Sequence, residues 1–258
     1  MKWLIRCTVL FCSILGGIRA MPVKFAGSGD NVSSTIRYVA LGDSIAYGYG
    51  LQDKEEESYV GLVRQYFEER YDYVVTNNFG KNGMRSEELL DILTNPENPN
   101  YKKYRDTISY ADIVTLSIGS NDLLHLIKLD FNMEEMIREG GAKFRKACSN
   151  FASNFPKIIR EIRTINPDVK IYANNIYNPA KGLSSYASVY EVAERYINLL
   201  NQAFQKAGGY CLVNIKEAFD KEKKSMINIS LKGREIDPHP SKEGHELISE
   251  MVIKQIAK

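Results

Sequence analysis

Short apolar runs alternate with longer amphipathic stretches from residue 36 to the end of the chain. The runs are bounded by turn or polar residues and predict strands at Arg37 to Leu41, Tyr73 to Asn78, Ile113 to Ile118, Val169 to Ile176 and Tyr210 to Val213. Between them, apolar residues recur at helical spacing, as in Tyr59, Leu62, Val63, Tyr66 and Phe67, and again in Val189, Val192, Tyr196, Leu199, Leu200 and Ala203. This alternation predicts a three-layer α/β fold, with a mostly parallel sheet of about five strands between two layers of helices.

Two helices in the second half of the chain have recognisable features. A helical region extends from about Ala142 to Ile165 and contains Pro156, which should kink the helix or begin a second one. Ser241 is a suitable N-cap for the last helix, whose spacing directs four apolar residues inward: Leu247, Ile248, Met251 and Val252. The chain shows no internal repeat and no second domain, so a single domain is expected over residues 36–258.

The first 20 residues differ from the rest of the chain. Lys2 and Arg6 precede an apolar stretch from Cys7 to Ile18, which is short for a membrane span but suits a signal-peptide core. We therefore expect residues 1–20 to direct export, with secretion after cleavage or membrane attachment through a retained leader. Residues 21–35 are rich in Gly, Ser, Asp and Asn, which predicts a flexible linker.

Composition is typical of a soluble globular protein. The 258 residues are 44% hydrophobic and 26% charged, which provides apolar content for one sizeable core. The formal net charge is +2, and loss of the three positive residues of the leader, Lys2, Arg6 and Arg19, would bring it to −1. The charge of the remaining chain therefore does not favour a nucleic-acid partner.

Cysteine and histidine positions argue against a metal site. The chain has no Cys-x-x-Cys pair, and His125, His239 and His245 do not form a His-Glu-x-x-His pattern. Glycine-rich phosphate-binding loops are also absent from the sequence, so we expect no cofactor. Beyond the leader the chain has Cys148 and Cys211, and the sequence is compatible with a disulfide between them or with two buried thiols.

Residues able to do chemistry follow three successive predicted strands. Gly-Asp-Ser at 42–44 follows the first, a loop with Gly83 follows the second, and Gly-Ser-Asn-Asp at 119–122 follows the third. Ligands of parallel sheets bind at the carboxyl ends of the strands. Asp-Pro-His-Pro at 237–240 adds an acid and an imidazole before the last helix. A nucleophile, amide donors and a base are therefore available for one site.

In this order, the four segments resemble the sequence blocks of the GDSL family in the SGNH hydrolase superfamily, a group of serine esterases and lipases. The resemblance covers nearly all of the chain after the leader and implies the flavodoxin-like SGNH hydrolase fold. The chain departs from the family pattern at Ile45, where leucine is usual. It also departs at the acid, because the aspartate usually lies three residues before the histidine, where this chain has Ile236, whereas Asp237 lies two before.

The resemblance implies a Ser-His-acid arrangement for ester hydrolysis. Ser44 is the expected nucleophile, and His239 is the base that makes its hydroxyl reactive. Asp237 is the expected acid, because residues two apart in an extended chain face the same side. Glu235 and a backbone carbonyl are the alternatives for orienting the imidazole.

Further site residues implied by the resemblance would bind the reacting carbonyl. The backbone N–H groups of Ser44 and Gly83 and the side-chain amide of Asn121 form the expected oxyanion hole. Tyr47 and Tyr49, close to the nucleophile in sequence, are candidates for the wall of an acyl pocket.

The implied substrate is a small-molecule ester, and short acyl esters, lysophospholipids and acylated carbohydrates all fit the family. Membrane contact is expected only through an uncleaved N-terminal segment. A ligand-binding protein on the same fold with little catalytic activity is the main alternative, because the spacing of the acid is unusual. A nucleotide or phosphate binder is disfavoured because the glycine signatures are missing, and the Gly-x-Ser-x-Gly nucleophile elbow is absent as well.

Three other polar residues are expected to be structural. His245 shares a helical face with Ile248 and Val252, which predicts packing, and His125 is expected at the surface or in packing. Asp43 is expected to brace the turn that presents the serine.

Overall fold

Five parallel strands form the centre of the computed structural model, which describes residues 34–129, 141–181, 187–228 and 237–258. The strands are β1 (Thr35–Gly42), β2 (Tyr73–Gly80), β3 (Ile113–Ser117), β4 (Lys170–Asn174) and β5 (Cys211–Val213). They lie in the order β2-β1-β3-β4-β5, and every neighbouring pair is parallel. The strand order reverses at β1, so the carboxyl ends of β1 and β3 are where a ligand site is expected.

The central strands are apolar on both faces because helices cover both sides of the sheet. Val39 and Leu41 of β1 belong to one core cluster, and the alternate residues Tyr38 and Ala40 belong to the other. The helices are α1 (Ser44–Tyr47), α2 (Lys54–Glu57), α3 (Tyr59–Glu68), α4 (Ser86–Thr94), α5 (Tyr101–Ser109), α6 (Ser120–Leu129), α7 (Gly141–Ile165), α8 (Ala187–Lys206), α9 (Ile215–Lys221) and α10 (Lys242–Ile256). The first core packs under α4 to α8, and the second under α1, α3, α9 and α10. The predicted three-layer α/β fold is confirmed.

Several element boundaries differ from the prediction. The first strand begins at Thr35 and so includes the last residue of the predicted linker. The fourth strand ends at Asn174 instead of Ile176, because the backbone N–H and C=O of Ile176 pair with the side chain of Asn201 at 2.9 and 2.8 Å. An α8 side chain thus takes the place of a neighbouring strand at this point.

The helix over residues 141–165 is continuous, although it contains Pro156. Phe155, Ile158 and Ile159 around the proline are all buried, and this packing holds the helix together where the proline removes a backbone donor. The alternative in which a second helix begins at Pro156 is therefore wrong.

The last helix begins as predicted. The Ser241 hydroxyl accepts a hydrogen bond from the Gly244 N–H at 3.2 Å, which is an N-cap contact. Ile248 and Val252 are fully buried, whereas Leu247 and Met251 are half-buried at the edge of the core.

Cys148 and Cys211 are free thiols, so the disulfide alternative is wrong, and of the two thiols expected to be buried only Cys148 is. Cys148 is buried and its thiol lies 3.7 Å from the Tyr196 carbonyl, while Cys211 is half-buried beside Gln255. The predicted signal peptide, residues 1–20, lies outside the described residues and remains a prediction. Among the helices that the structure describes, none combines the length and apolarity of a membrane span.

Candidate active site

Ser44 lies at the point where β1 turns into the one-turn helix α1, and its side chain is only 7% exposed. The preceding residue, Asp43, is the N-cap, and its Oδ1 accepts from the Ile45 N–H at 3.0 Å. The Asp43 N–H donates to the Ser117 carbonyl at the end of β3, at 2.9 Å. The serine turn is therefore fastened to the neighbouring strand as well as to its own helix.

Glycine is required at position 42 by this close approach of two strand ends. Gly42 has φ +134°, a backbone conformation that residues other than glycine rarely adopt. A Cβ at this position would lie 1.9 Å from the Ser117 carbonyl oxygen. The glycine of the Gly-Asp-Ser motif thus permits the backbone pairing that fixes Ser44.

His239 connects Ser44 to Asp237. The imidazole Nε2 lies 2.9 Å from the Ser44 hydroxyl oxygen, and Nδ1 contacts the Asp237 carboxylate. A carboxylate can only accept, so Nδ1 carries the proton and Nε2 is left to accept from the serine. The same Asp237 oxygen also accepts from the His239 backbone N–H, at 3.0 Å. A spacing of two residues therefore allows the acid to reach the imidazole, and the other candidate, Glu235, lies outside the described residues.

The segment that contains His239 is held by residues that the sequence did not single out. The Asn228 N–H donates to the His239 carbonyl at 2.8 Å, next to an antiparallel bridge between Ile227 and Pro240. The Tyr177 hydroxyl, beyond β4, donates to the Pro238 carbonyl at 2.7 Å. These contacts join residues far apart in sequence, so no local pattern could have identified them.

The two other predicted oxyanion-hole residues lie in the loop after β2 (Gly83) and in the first turn of α6 (Asn121), and hydrogen bonds connect both segments to the serine turn. The Lys81 N–H donates to the Gly42 carbonyl at 3.0 Å, and the Met84 N–H donates to the Lys81 carbonyl at 3.1 Å. The Asn121 amide then donates to the Met84 carbonyl at 3.2 Å. An amide carries two N–H groups, so Asn121 retains one donor. Gly83, whose backbone N–H is the third predicted donor, lies in the same loop between Lys81 and Met84 and has φ +76°.

A family model described as the GDSL-like Lipase/Acylhydrolase family matches residues 40–247. The chain belongs to this family. The match begins inside β1 and ends inside α10, so it includes all four segments that suggested the resemblance. Membership of the GDSL family identifies the chain, in general terms, as a carboxylic ester hydrolase.

Individual proteins similar to this chain cover most of its length. The protein YpmR of Bacillus subtilis (strain 168) is 29% identical over 222 residues, which are 85% of this chain and 80% of YpmR. The spore germination lipase LipC of Bacillus licheniformis is 25% identical over 224 residues, or 84% of this chain and 94% of LipC. The crystal structure of the lipase Lip_vut3 from a goat rumen metagenome has a TM-score of 0.64 at 22% identity, covering 85% of this chain and 96% of its own. This structural likeness extends over the whole GDSL fold.

Two acidic residues of the GDSL-family blocks, the buried Asp43 and the half-buried Asp122, have structural partners. Burial raises the pKa of Asp43 to about 7, although the hydrogen bonds that its carboxylate accepts from Ile45 and Ser117 lower the pKa in part. Burial also raises the pKa of Asp122, whose carboxylate accepts from the Ser86 N–H at 3.0 Å and from its hydroxyl at 2.5 Å. Asp43 braces the serine turn, as predicted, and Asp122 links the start of α6 to the start of α4.

Of the two tyrosines predicted to line the acyl pocket, the structure brings one against the histidine of the GDSL site. The Tyr49 ring centroid lies 4.4 Å from that of His239. The Tyr47 ring instead lies under the ammonium group of Lys54, 3.9 Å from its centroid.

The other two histidines, His125 and His245, do not take part in the contacts that join Ser44, His239 and Asp237. His245 is fully buried, and its Nδ1 accepts from the Tyr59 N–H at 3.2 Å. Burial lowers the pKa of His245 to about 3, so it is neutral at physiological pH. His125 is exposed and borders a cleft shared with Arg85 and Lys146. The structure therefore agrees with structural or surface positions for both.

Proposed function

We propose that this GDSL-family protein hydrolyses carboxylic esters through an acyl-enzyme formed on Ser44. The observation that carries the proposal is the line of contacts from the Ser44 hydroxyl through His239 to Asp237, in which the serine oxygen and Nε2 are 2.9 Å apart. A serine hydroxyl needs such a base to become nucleophilic at neutral pH.

In the first half of the reaction the Ser44 oxygen forms a bond to the ester carbonyl carbon while its proton passes to Nε2 of His239. The imidazolium is stabilised by Asp237, which remains a carboxylate throughout. The tetrahedral intermediate then releases the alcohol, which leaves with the proton from Nε2. In the second half a water molecule gives its proton to Nε2 and attacks the acyl carbon, and the serine regains its proton as the acid departs.

Charge develops on the carbonyl oxygen in both halves, and we assign its stabilisation to the N–H groups of Ser44 and Gly83 and to the Asn121 amide. The Ser44 N–H belongs to the first turn of a helix, where backbone donors have no partner within the helix. Removal of one oxyanion donor typically costs roughly 3 to 4 kcal/mol of transition-state stabilisation.

We propose short acyl esters, lysophospholipids and acylated carbohydrates as substrate candidates, with no cofactor. The relative LipC is a lipase, which supports a lipid ester among them. Export through residues 1–20 would place the enzyme outside the cytoplasm. N-terminal sequencing of the protein recovered from the medium, the membranes and the cytoplasm tests this. A start near residue 21 in the medium, or a retained leader in the membranes, is expected, and recovery of the protein with Met1 from the cytoplasm alone would contradict export.

Kinetics of the wild type and of Ser44→Ala on p-nitrophenyl acetate, butyrate and octanoate test the proposed activity. Ser249→Ala is a matched control, because Ser249 is equally buried but bonds only within its own helix, to the Glu246 carbonyl. We expect hydrolysis by the wild type and the control and a loss of kcat of roughly 10⁴-fold or more in Ser44→Ala. A folded wild type that binds these esters without hydrolysing them would support the ligand-binding alternative instead.

A further inference from the structure

An exposed aromatic ring lies against the base of the proposed site. The Tyr49 ring centroid is 4.4 Å from the His239 centroid, with 41° between the two planes. Tyr49 is 44% exposed, whereas most large hydrophobic residues in the described part of the chain are covered. The ring therefore packs against the imidazole while part of the tyrosine surface remains open to solvent.

The backbone around Tyr49 fixes the position of this ring relative to the nucleophile. Gly48 and Gly50 have φ values of +78° and +85°, so the tyrosine lies between two residues in the left-handed region. The Tyr49 N–H donates to the Ser44 carbonyl at 3.0 Å. The backbone of Tyr49 is thus bonded directly to the residue whose hydroxyl faces His239.

An aromatic face attracts a cation within about 6 Å of its centre. In the proposed reaction His239 becomes an imidazolium in both tetrahedral steps, and the Tyr49 ring lies within that distance. The neutral imidazole of the resting enzyme gains much less from the same contact. The contribution of the ring is therefore larger in the transition state than in the ground state, which is the condition for an effect on rate.

We propose that Tyr49 is a positioning residue that stabilises the charged form of His239 and keeps the imidazole aligned between Asp237 and Ser44. This inference rests on the proposed serine mechanism. It differs from a role of Tyr49 as a wall of the acyl pocket, because a wall acts on the substrate and its effect depends on the acyl chain. A ring that acts through His239 affects every ester alike.

Tyr49→Leu and Tyr49→Phe separate the two roles, with Tyr110→Leu as a matched control. Tyr110 is 74% exposed and precedes β3, at the end of the sheet opposite the serine. For Tyr49→Leu we expect kcat to fall by roughly 3- to 10-fold on p-nitrophenyl acetate and octanoate alike, with KM changed less than about 2-fold. Tyr49→Phe keeps the aromatic face and should retain wild-type kcat, as should the control.

The rate at which a fluorophosphonate labels Ser44 provides a second readout, since it uses the same base without an acyl pocket of defined length. We expect Tyr49→Leu to slow labelling by the same factor as kcat, with an unchanged melting temperature. Equal kcat and labelling rates in Tyr49→Leu and the wild type would overturn the inference, as would an effect confined to KM or to the longer ester. A wild type without hydrolysis or labelling would overturn the proposed function, and the inference with it.

Discussion

Asp237 holds His239 through two contacts made by a single carboxylate oxygen. That oxygen accepts from the His239 backbone N–H at 3.0 Å and contacts Nδ1 of the ring. The intervening Pro238 is itself held by the Tyr177 hydroxyl through its carbonyl. The orientation and the tautomer of the imidazole therefore depend directly on this carboxylate.

Asp237→Asn should preserve the shape of the loop but lose the charge that selects the Nδ1–H tautomer. We expect kcat for p-nitrophenyl butyrate to fall by roughly 10³- to 10⁴-fold, as in Ser-His-Asp enzymes generally. Asp168→Asn, a change of an exposed aspartate in the loop before β4, serves as control. An unchanged kcat would mean that Glu235 or a backbone carbonyl orients His239.

Asp43→Asn tests the buried carboxyl group beside the nucleophile. The pKa of Asp43 is raised from 3.8 to about 7 on folding, so between these values the folded state keeps a proton that the unfolded state releases. Its contribution to stability is therefore complete below about pH 4 and is lost as pH rises to about 7. We expect the melting temperature of Asp43→Asn, relative to the wild type, to increase from pH 4 to pH 8. A constant difference over this range would contradict the buried, protonated state of Asp43.

At the scale of elements, the position of the nucleophile is determined by the sheet. The helix α1 has four residues, too few to be stable alone. At its start, the Asp43 N–H donates to the Ser117 carbonyl. At its end, the Asn78 side-chain amide donates to the Ala46 carbonyl at 2.8 Å. The ends of β1, β2 and β3 thus meet at this single turn of helix.

Gly42→Ala should disturb that junction. The new Cβ would meet the Ser117 carbonyl in a backbone conformation unfavourable to alanine, and we expect the free energy of unfolding to fall by roughly 2 to 5 kcal/mol. Gly208→Ala is the control, because a Cβ there meets no atom within 4 Å and Gly208 has no positive φ. Its stability should change by less than about 1 kcal/mol. Equal denaturation midpoints for the two variants would contradict the proposed role of Gly42.

Elements with a continuous local signal were predictable, and those defined by distant contacts were not. Apolar β1 and β3 and the amphipathic α3 follow from short-range patterns. The predicted end of β4 lay two residues beyond the observed one, because residues 175–177 are buried like strand residues. The backbone N–H and C=O of Ile176, however, pair with the Asn201 side chain of a helix. In the site, Ser44 and His239 could be found from sequence motifs. The supports at Tyr177 and Asn228 could not, since Tyr177 lies 61 residues from its partner.

At the scale of the whole molecule, His245 connects the last helix to the start of α3. Its Nδ1 accepts from the Tyr59 N–H, one of the backbone donors that a helix start leaves without an internal partner. The tyrosine and imidazole rings lie nearly parallel, with 9° between their planes. This contact secures α10, which follows directly after the segment that holds His239.

The buried, neutral state of His245 predicts acid sensitivity. The pKa of His245 falls from 6.5 to about 3 on folding, so between pH 6.5 and about pH 3 the unfolded state binds a proton that the folded state does not bind. Stability that is present above about pH 6.5 is therefore lost as pH falls toward 3. His245→Asn keeps an acceptor without this titration, and its stability should decline less steeply with acid, by about 1.4 kcal/mol per pH unit at most. Chemical denaturation at a series of pH values measures both slopes, and parallel slopes would contradict the assignment.

The proposed ester hydrolysis depends on the Ser44 hydroxyl oxygen as the attacking atom. Peptide mass spectrometry after treatment with a fluorophosphonate tests this directly, because the reagent bonds covalently only to a serine that an adjacent base activates. We predict a single adduct on Ser44 in the wild type, none in Ser44→Ala, and a strongly slowed reaction in His239→Ala. An adduct on a different residue, or ester hydrolysis by Ser44→Ala at the wild-type rate, would contradict the account.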